Sequence, residues 1–227
     1  DGVVVKVLGL TRDIHESVEL TEKLEAAAAH DALTGLPNRR LLTDRLTTAL
    51  GRQSRSGRPL PVLYLDLDGF KRVNDTAGHL AGDAVLRATA SRVTSLLRPQ
   101  DTVARVGGDE FVVVLEPTPQ TPSGPLDLEQ ELDSARDVAS RIRDAVAEPV
   151  LVDGRNHFIT VSVGIALAFP DDDPDAVLRH ADSAMYIAKA NGKARWEVFD
   201  GSHRVHARDR AHVESTLREA LRATSTG

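Results

Sequence analysis

The spacing of apolar residues along the chain predicts helices in some stretches and strands in others. Apolar positions three and four residues apart predict helices over residues 39–50, 79–97 and 128–146. A fourth helix is predicted to begin at the N-cap and first-turn pair Asp173 and Pro174 and to end at Gly192. Short apolar runs predict strands over residues 60–65, 103–105, 111–115, 157–168 and 196–199.

The order of these elements predicts the fold class. Residues 106–110, which include two glycines, separate two of the short strands and predict a hairpin in the middle of the chain. From the strand at 60–65 onwards the elements follow the order β-α-β-β-α-β-α-β. We therefore expect an α/β fold of the α+β sandwich type, with helices flanking a mixed central sheet, rather than a doubly wound parallel sheet.

The two ends of the chain are predicted to lie outside the main domain, which we expect over residues 31–200. Residues 1–12 predict a short strand that ends an upstream domain, and residues 13–30 predict a connector helix. A plain N-terminal hairpin arm is the alternative for this stretch. In residues 201–227, Val213, Leu217 and Leu221 share one face and predict an exit helix.

Composition and charge exclude several classes of protein. A chain of 227 residues with 41% hydrophobic and 27% charged residues is globular rather than disordered or collagen-like. A net charge of −6 argues against binding to a DNA or RNA polymer. Because no apolar run reaches the roughly 18 to 20 residues of a membrane-spanning helix, we expect a cytoplasmic segment without membrane contact. A longer parent protein could still be attached to a membrane through another segment. The chain has no cysteine, so any metal must be bound by carboxylates or histidines.

Acidic residues collect at two places that a sheet could bring together. Asp66 and Asp68 lie at the carboxyl end of a predicted strand, and Asp109 and Glu110 lie at the tip of the predicted hairpin. If the strand pairs with the hairpin, Asp66, Asp109 and Glu110 converge, and their charges repel unless a cation neutralises them. Oxygen ligands alone favour a hard ion such as Mg²⁺ or Mn²⁺. The alternative, which the hairpin tip alone would favour, is a set of solvated turn acids.

Lysines are scarce in the chain and concentrate beside these motifs. Only 5 of the 28 basic residues are lysines, and Lys71, Lys189 and Lys193 are three of them. Lysine is a compact point charge that suits phosphate groups. Gly107 and Gly108 would let a phosphorylated ligand approach the backbone closely. These residues favour a small phosphorylated anion as the ligand.

Five motifs together resemble the GGDEF family of diguanylate cyclases. RVGGDEFVVVL at residues 105–115 is similar to the family's signature. Four further motifs occur in the family's order, namely DALTGLPNRR at 31–40, LDLDGFKRVNDTAGHLAGD at 65–83, VSVGIA at 161–166 and YIAKANGK at 186–193. The resemblance covers roughly residues 30–200 and implies a palm-like nucleotidyl cyclase fold whose signature lies on a β-hairpin.

The resemblance implies a role for each matching residue. The implied metal site consists of Asp66, Asp109, Glu110 and the carbonyl of Leu67, and the implied catalytic residues are Glu110, Lys71 and Asp109. Glu110 would complete the metal site and help to deprotonate an attacking 3′-hydroxyl. Asn74 and Asp83 would read the guanine edge, because Asp accepts from the N1 and N2 donors and Asn serves the neighbouring atoms.

A triphosphate cradle is also implied by the resemblance. Its backbone groups would come from Gly69, Phe70, Lys71, Gly107 and Gly108, and its side chains from Lys71, Arg105, Lys189 and Lys193. One departure is Lys193-Ala194, where many members have Arg-Asn; lysine keeps the charge and loses the bidentate fork. For Asp68, Asp75 and His79 we prefer packing or capping roles.

The implied reaction joins two GTP molecules into cyclic di-3′,5′-guanylate (c-di-GMP) and releases two pyrophosphates, with Mg²⁺ or Mn²⁺ as cofactor. One domain of this kind binds one GTP, so the resemblance implies a catalytic homodimer. Residues 1–14 resemble the end of a PAS sensory domain and residues 199–221 the lead-in to an EAL phosphodiesterase domain, which implies a segment of a PAS-GGDEF-EAL signalling protein. The alternative is a catalytically silent module that binds GTP or c-di-GMP and controls an attached phosphodiesterase.

Arg98 and Asp101 precede the signature at the spacing of the family's RxxD inhibitory site, which binds product. Arginine can fork a phosphate or stack on a purine, and aspartate can accept from guanine donors. The alternative is that Arg98 ends a helix and Asp101 begins a turn.

Overall fold

The computed structural model describes residues 29–54, 58–117 and 128–199. The described elements are α1 (Arg39–Gln53), β1 (Leu60–Asp68), α2 (Phe70–Ala77), α3 (His79–Leu96), β2 (Thr102–Gly107), β3 (Glu110–Val114), α4 (Leu128–Ala147), β4 (Val150–Val152), β5 (Arg155–His157), β6 (Thr160–Ala168), α5 (Pro174–Ala190) and β7 (Trp196–Val198). The upstream strand and the exit helix predicted from the sequence lie outside the described residues, and so does the predicted connector helix except for its last two residues, 29 and 30.

A five-stranded sheet in the order β2-β3-β1-β6-β7 forms the middle layer of the fold. The pairs β2-β3, β3-β1 and β1-β6 are antiparallel, and β6-β7 is parallel. The sheet is therefore mixed, and the predicted fold class is confirmed. The central strand β1 is buried from Leu60 to Leu67, because helices cover both of its faces.

Two apolar cores separate the sheet from its helices. Odd-numbered residues of β1, such as Leu63 and Leu65, pack in the core that contains residues of α3 and α4. Even-numbered residues, such as Val62 and Tyr64, pack in the core that contains residues of α1 and α5. Because side chains alternate along a strand, the next even positions, Asp66 and Asp68, face the α5 side.

The structure contains short elements that the apolar spacing did not predict. Helix α2 is eight residues long and has only three apolar positions, Phe70, Val73 and Ala77, of which only Val73 is buried, so it was not recognised as a helix from the sequence. Strands β4 and β5 are three residues each and form a separate hairpin. Their turn contains Asp153 and Gly154, both with positive φ, a pair that marks tight hairpins. The strand predicted from residue 157 begins at Thr160, since His157 still belongs to β5.

None of the helices in the described part of the chain has the length and apolar character that crossing a bilayer requires.

Gly164 of β6 lets α5 approach the sheet closely. A Cβ at this position would lie 2.0 Å from the carbonyl oxygen of Ala181 and 2.2 Å from the backbone nitrogen of Met185. Both neighbours are helix backbone, which cannot move aside alone. Met185 lies one helical turn before Lys189, and Gly164 lies two residues after Ser162 in β6. The close contact between Gly164 and α5 therefore fixes the distance of Lys189 from the sheet.

We predict that Gly164→Ala lowers the free energy of unfolding by about 3 kcal/mol, because the added methyl forces α5 off the sheet. Gly51→Ala is the matched control, since a Cβ on that helical glycine meets nothing within 4 Å. The control should be neutral or stabilising by up to about 1 kcal/mol. Urea unfolding followed by circular dichroism measures both, and equal stabilities would contradict the close approach.

Arg105 joins the segment before α1 to the tip of the β2-β3 hairpin. Its Nη1 donates to both carboxylate oxygens of Asp31, at 2.9 and 3.0 Å. Its Nε and Nη2 donate to the carbonyl of Gly108, at 3.0 and 2.7 Å. Asp31 also accepts from the backbone and the hydroxyl of Thr34. Burial raises the pKa of Asp31, but the hydrogen bonds from Thr34 and Arg105 outweigh it and hold the pKa below the usual 3.8.

A carboxyl whose pKa is lower in the folded state stabilises the fold when it is ionised, and that stabilisation is lost as the pH falls through the folded-state pKa. We predict that Asp31→Asn lowers the free energy of unfolding at pH 7 by roughly 1 to 2 kcal/mol. The gap to the unmodified chain should narrow as the pH falls below 3.8.

Asp137→Asn serves as the control, since Asp137 is 69% exposed and pairs loosely with Arg141 at 3.7 Å. Its effect at pH 7 should stay within about 0.5 kcal/mol. Denaturant titrations at several pH values test this, and a pH-independent Asp31→Asn effect would contradict the assignment.

Candidate functional site

The pairing of β1 with β3 brings the acids of the two motifs together. Asp66 lies directly opposite Glu110 in the antiparallel register. Residues opposite each other in such a pair project to the same face of the sheet. The backbone nitrogen of Leu67 donates to the carbonyl of Asp109 at 3.3 Å, so the hairpin tip lies against the end of β1. The predicted convergence of strand and hairpin is therefore present in the backbone.

Asp66 is a buried acid with a lysine as its partner. The residue is 8% exposed, and the Nζ of Lys189 lies 2.6 Å from its Oδ2. Burial raises the pKa of Asp66, and the nearby Asp109 and Glu110 raise it further, while Lys189 lowers it. The net direction is upward, which means that the ionised carboxylate is poorly compensated. Asp66 would gain from additional positive charge.

Glu110 has a partner that the sequence analysis missed. The hydroxyl of Tyr64 donates to Glu110 Oε2 at 3.2 Å. Burial raises the pKa of Tyr64 well above its usual range, and Glu110 acts in the same direction, so the hydroxyl stays protonated. Tyr64 precedes Asp66 by two residues and shares its face, and this spacing is the signal that could have identified it.

The donor set at this edge fits a hard divalent ion. Its side-chain donors are carboxylates, and one of them, Asp66, is buried and poorly compensated. Within residues 29–54, 58–117 and 128–199, no three His, Cys, Asp or Glu side chains form a group that could hold a metal by themselves. Mg²⁺ needs no such cage, because it commonly takes one or two carboxylates and completes its shell with water and phosphate oxygens.

The start of α2 offers backbone amides beside the acids. Gly69 caps this helix with φ of 77°, and no side chain caps its first turn. The first amides of a helix have no partner within the helix and suit an anion. Phe70 and Lys71 form this first turn, and Lys71 is exposed. The phosphate cradle that the resemblance implies for these three residues stays a prediction.

Asp68 holds the segment that carries Lys193. It accepts from the hydroxyls of Thr160 and Ser162 at 2.8 and 2.7 Å, and from the backbone nitrogen of Ala194 at 3.1 Å. Lys193 and Ala194 both have positive φ, which costs energy for residues other than glycine. Asp68 therefore anchors a strained turn, in agreement with the structural role preferred from the sequence.

Arg105 is fully engaged with protein groups, since its guanidinium contacts Asp31 and the Gly108 carbonyl. In this arrangement it positions the exposed turn of Gly107 and Gly108. Its predicted contact with phosphate stays a prediction.

Asn74 and Asp83 lie on two successive helices that pack against each other. Asn74 belongs to α2 and Asp83 to α3, and the helices meet at Gly78. The side chain of Asp83 is 40% exposed and lies 4.0 Å from Arg87. Asp75 and His79 are exposed between them. The two predicted guanine readers thus belong to one helical corner, which is joined to the acids through β1 and Gly69.

Arg98 and Asp101 form a separate feature. Asp101 accepts from the backbone nitrogens of Arg98 at 2.9 Å and of Glu116 at 3.0 Å, and its own nitrogen donates to the Arg98 carbonyl. The carboxylate therefore caps this turn. Arg98 and Asp101 also line a cavity of about 260 Å³ together with Arg58 and Arg141. The capping interpretation is supported by contacts, and the product site stays a prediction.

The chain is similar in sequence to a known protein family and to individual members of it. Residues 28–195 match the family described as diguanylate cyclase, GGDEF domain. The bifunctional diguanylate cyclase/cyclic di-GMP phosphodiesterase MucR of Pseudomonas aeruginosa is 36% identical over 228 residues, which cover 97% of this chain and 31% of MucR. The diguanylate cyclase DgcP of the same species is 41% identical over 172 residues, which cover 75% of this chain and 24% of DgcP.

A solved structure shares the fold. The crystal structure of the coiled coil and GGDEF domain of DgcB from Caulobacter crescentus, in complex with c-di-GMP, matches with a TM-score of 0.75 and 27% identity. The match covers 87% of this chain and 100% of that one.

The chain spans less than a third of MucR and DgcP, so the activities of those whole proteins do not transfer to it directly. The match over residues 28–195 nevertheless takes in the hairpin, the acids of β1 and Lys189. The chain therefore belongs to the family of diguanylate cyclase GGDEF domains, whose members in general bind GTP and depend on a divalent metal.

Proposed function

We propose that this chain is a diguanylate cyclase, a nucleotidyltransferase that condenses two GTP molecules into c-di-GMP and two pyrophosphates. The observation that carries the proposal is the β1-β3 register, which sets Asp66 opposite Glu110, with Lys189 on Asp66. A buried, poorly compensated carboxylate beside further acids is costly to the fold unless it serves binding or catalysis.

The proposed chemistry forms two bonds and breaks two. Each 3′-hydroxyl attacks the α-phosphorus of the other GTP, which forms a phosphodiester bond and breaks the bond to the leaving pyrophosphate. Glu110 would accept the hydroxyl proton, and the Tyr64 hydroxyl, which donates to Glu110 Oε2, would hold its carboxylate in position. Mg²⁺ or Mn²⁺ would be held by carboxylates of Asp66, Asp109 and Glu110 and by the Leu67 carbonyl, with water and phosphate oxygens completing its shell. Bound there, the ion would supply positive charge to the attacking and leaving oxygens.

The remaining residues bind and orient the nucleotide. The amides of Gly69, Phe70 and Lys71, the turn of Gly107 and Gly108, and the side chains of Lys71, Lys189 and Lys193 would contact the phosphates. Arg105 would join them only by giving up a hydrogen bond to Asp31 or to the Gly108 carbonyl. Asn74 and Asp83 read guanine. Lys189 links two tasks, because its ammonium already compensates Asp66 and can turn to a phosphate when a metal takes that place.

Two chains are needed for one turnover, since each domain holds one GTP, and the dimer is therefore part of the proposed active site.

We also propose a cytoplasmic location and a parent protein with PAS and EAL domains. The support for this parent is the sequence similarity of residues 1–14 and 199–221 and the greater length of relatives such as MucR.

A silent module that binds GTP or c-di-GMP and controls a phosphodiesterase is the second candidate. One observation supports this candidate: a stretch similar to this chain occurs in MucR, which is described as both a diguanylate cyclase and a cyclic di-GMP phosphodiesterase. The complete set of acids and lysines favours the cyclase.

We predict that Asp109→Asn and Glu110→Gln each lower the rate of c-di-GMP formation at least about 100-fold, because they remove the proposed metal ligand and base. The melting temperature should change little, since both residues lie at a partly exposed hairpin tip. Chromatography of products from GTP and Mg²⁺ measures the rate. Asp144→Asn, on the exposed surface of α4, is the control.

Undiminished turnover in either variant would overturn the proposed site. An unmodified chain that dimerises and binds GTP but forms no product would instead identify the silent module.

A further prediction concerns the product. We expect c-di-GMP to bind a Glu110→Gln chain, and we expect Arg98→Ala in that background to lose this binding. Arg98 is the better probe, because Asp101 caps the turn and its removal would disturb the backbone. Calorimetry with c-di-GMP measures the affinity. Equal affinities with and without Arg98 would leave only the capping role.

A further inference from the structure

Gly82 lies in the buried face of α3, one residue before Asp83, where the helix meets α2. Glycine weakens a helix relative to alanine, and Gly82 is a helical residue without positive φ, so its backbone does not require glycine. The reason for glycine at this position must therefore lie in what it contacts.

The contact is with Asn74. A Cβ on Gly82 would lie 1.9 Å from Asn74 Oδ1 and 3.0 Å from its Cγ, and 3.2 Å from Cζ of Phe70. Gly51, the glycine of α1, would meet nothing within 4 Å. The amide of Asn74 thus occupies the space that a side chain at position 82 would need.

The obstructed atoms belong to the end of a side chain and not to the backbone. Gly164 differs in this respect, because its Cβ would meet the backbone of α5. The backbone of Asn74 is also fixed, since its carbonyl accepts from Gly78 at 2.9 Å. An alanine at position 82 would therefore leave α2 and α3 in place and turn the Asn74 side chain to another rotamer, while the tip of the Phe70 ring would need only a small shift.

We infer that Gly82 is a positioning residue for guanine specificity, because its missing side chain creates the space in which Asn74 is held. The inference rests on the proposed function, in which Asn74 reads guanine. The side chain of Asp83 projects from a different side of α3, so an alanine at position 82 does not displace it. Gly82 therefore affects only the part of the guanine selectivity that Asn74 contributes.

The test measures binding of 3′-deoxy-GTP and 3′-deoxy-ATP with Mg²⁺ by calorimetry. These nucleotides lack the attacking hydroxyl, so the readout does not require turnover. The proteins are the unmodified chain, Gly82→Ala, Asn74→Ala, the double variant and Gly51→Ala as the matched helical control.

Gly82→Ala should lower the preference for guanine about tenfold, the value of one hydrogen bond, and Asn74→Ala should do the same. The double variant should match Asn74→Ala, because the two changes act through one side chain. The melting temperature of Gly82→Ala should be equal or higher, whereas a merely structural role predicts a lower one. Gly51→Ala should keep the full preference.

Three outcomes would overturn the inference. If Asn74→Ala lowers the preference and Gly82→Ala does not, Gly82 has no positioning role and the proposed guanine site stands. If Gly82→Ala weakens both nucleotides equally, its role is general packing. If Asn74→Ala leaves the preference intact, the proposed guanine site itself fails, and the inference fails with it.

Discussion

The ion pair between Asp66 and Lys189 is the interaction on which the site depends. It places a carboxylate that is 8% exposed in the central strand of the sheet, with one lysine at 2.6 Å and two more acids nearby. Charges in such surroundings are expensive, and a single ammonium does not compensate three carboxylates. The site therefore favours additional cations and the anions that accompany them, which is the chemistry of a nucleotide with its metal.

The rest of the fold fixes the two partners and their neighbours. Gly164 lets α5 lie close enough to β6 for Lys189 to reach Asp66. On the other side of the site, Arg105 ties the hairpin tip to Asp31. Asp68 holds the strained turn at residues 193–194. Each of these contacts restricts the position of a charged group through the backbone or a second side chain. Such restriction holds the groups of the site in a defined geometry although they lie on loops and strand ends.

Much of the fold follows from the sequence, because β1, β3 and β6 are strongly apolar and α3 and α4 have regular apolar faces. The convergence of Asp66 with Glu110 could be predicted, since it needs only one strand pairing. The pairing of Lys189 with Asp66 could not be predicted, because it depends on how closely α5 approaches the sheet. The glycine at position 164 does not reveal that distance from the sequence alone. Helix α2 has only three apolar positions, which gave a weak helical signal, and β4 and β5 are too short to show an alternation, although Asp153-Gly154 is a turn signal.

A crystal structure of this chain with 3′-deoxy-GTP and Mn²⁺, in which anomalous scattering locates the metal, tests most directly whether Asp66 and its neighbours form a metal and nucleotide site. We expect Mn²⁺ bound to Asp66 and Asp109, with the Nζ of Lys189 moved from Asp66 to a phosphate oxygen. A nucleotide bound without metal at these acids, with Lys189 still on Asp66, would contradict this expectation.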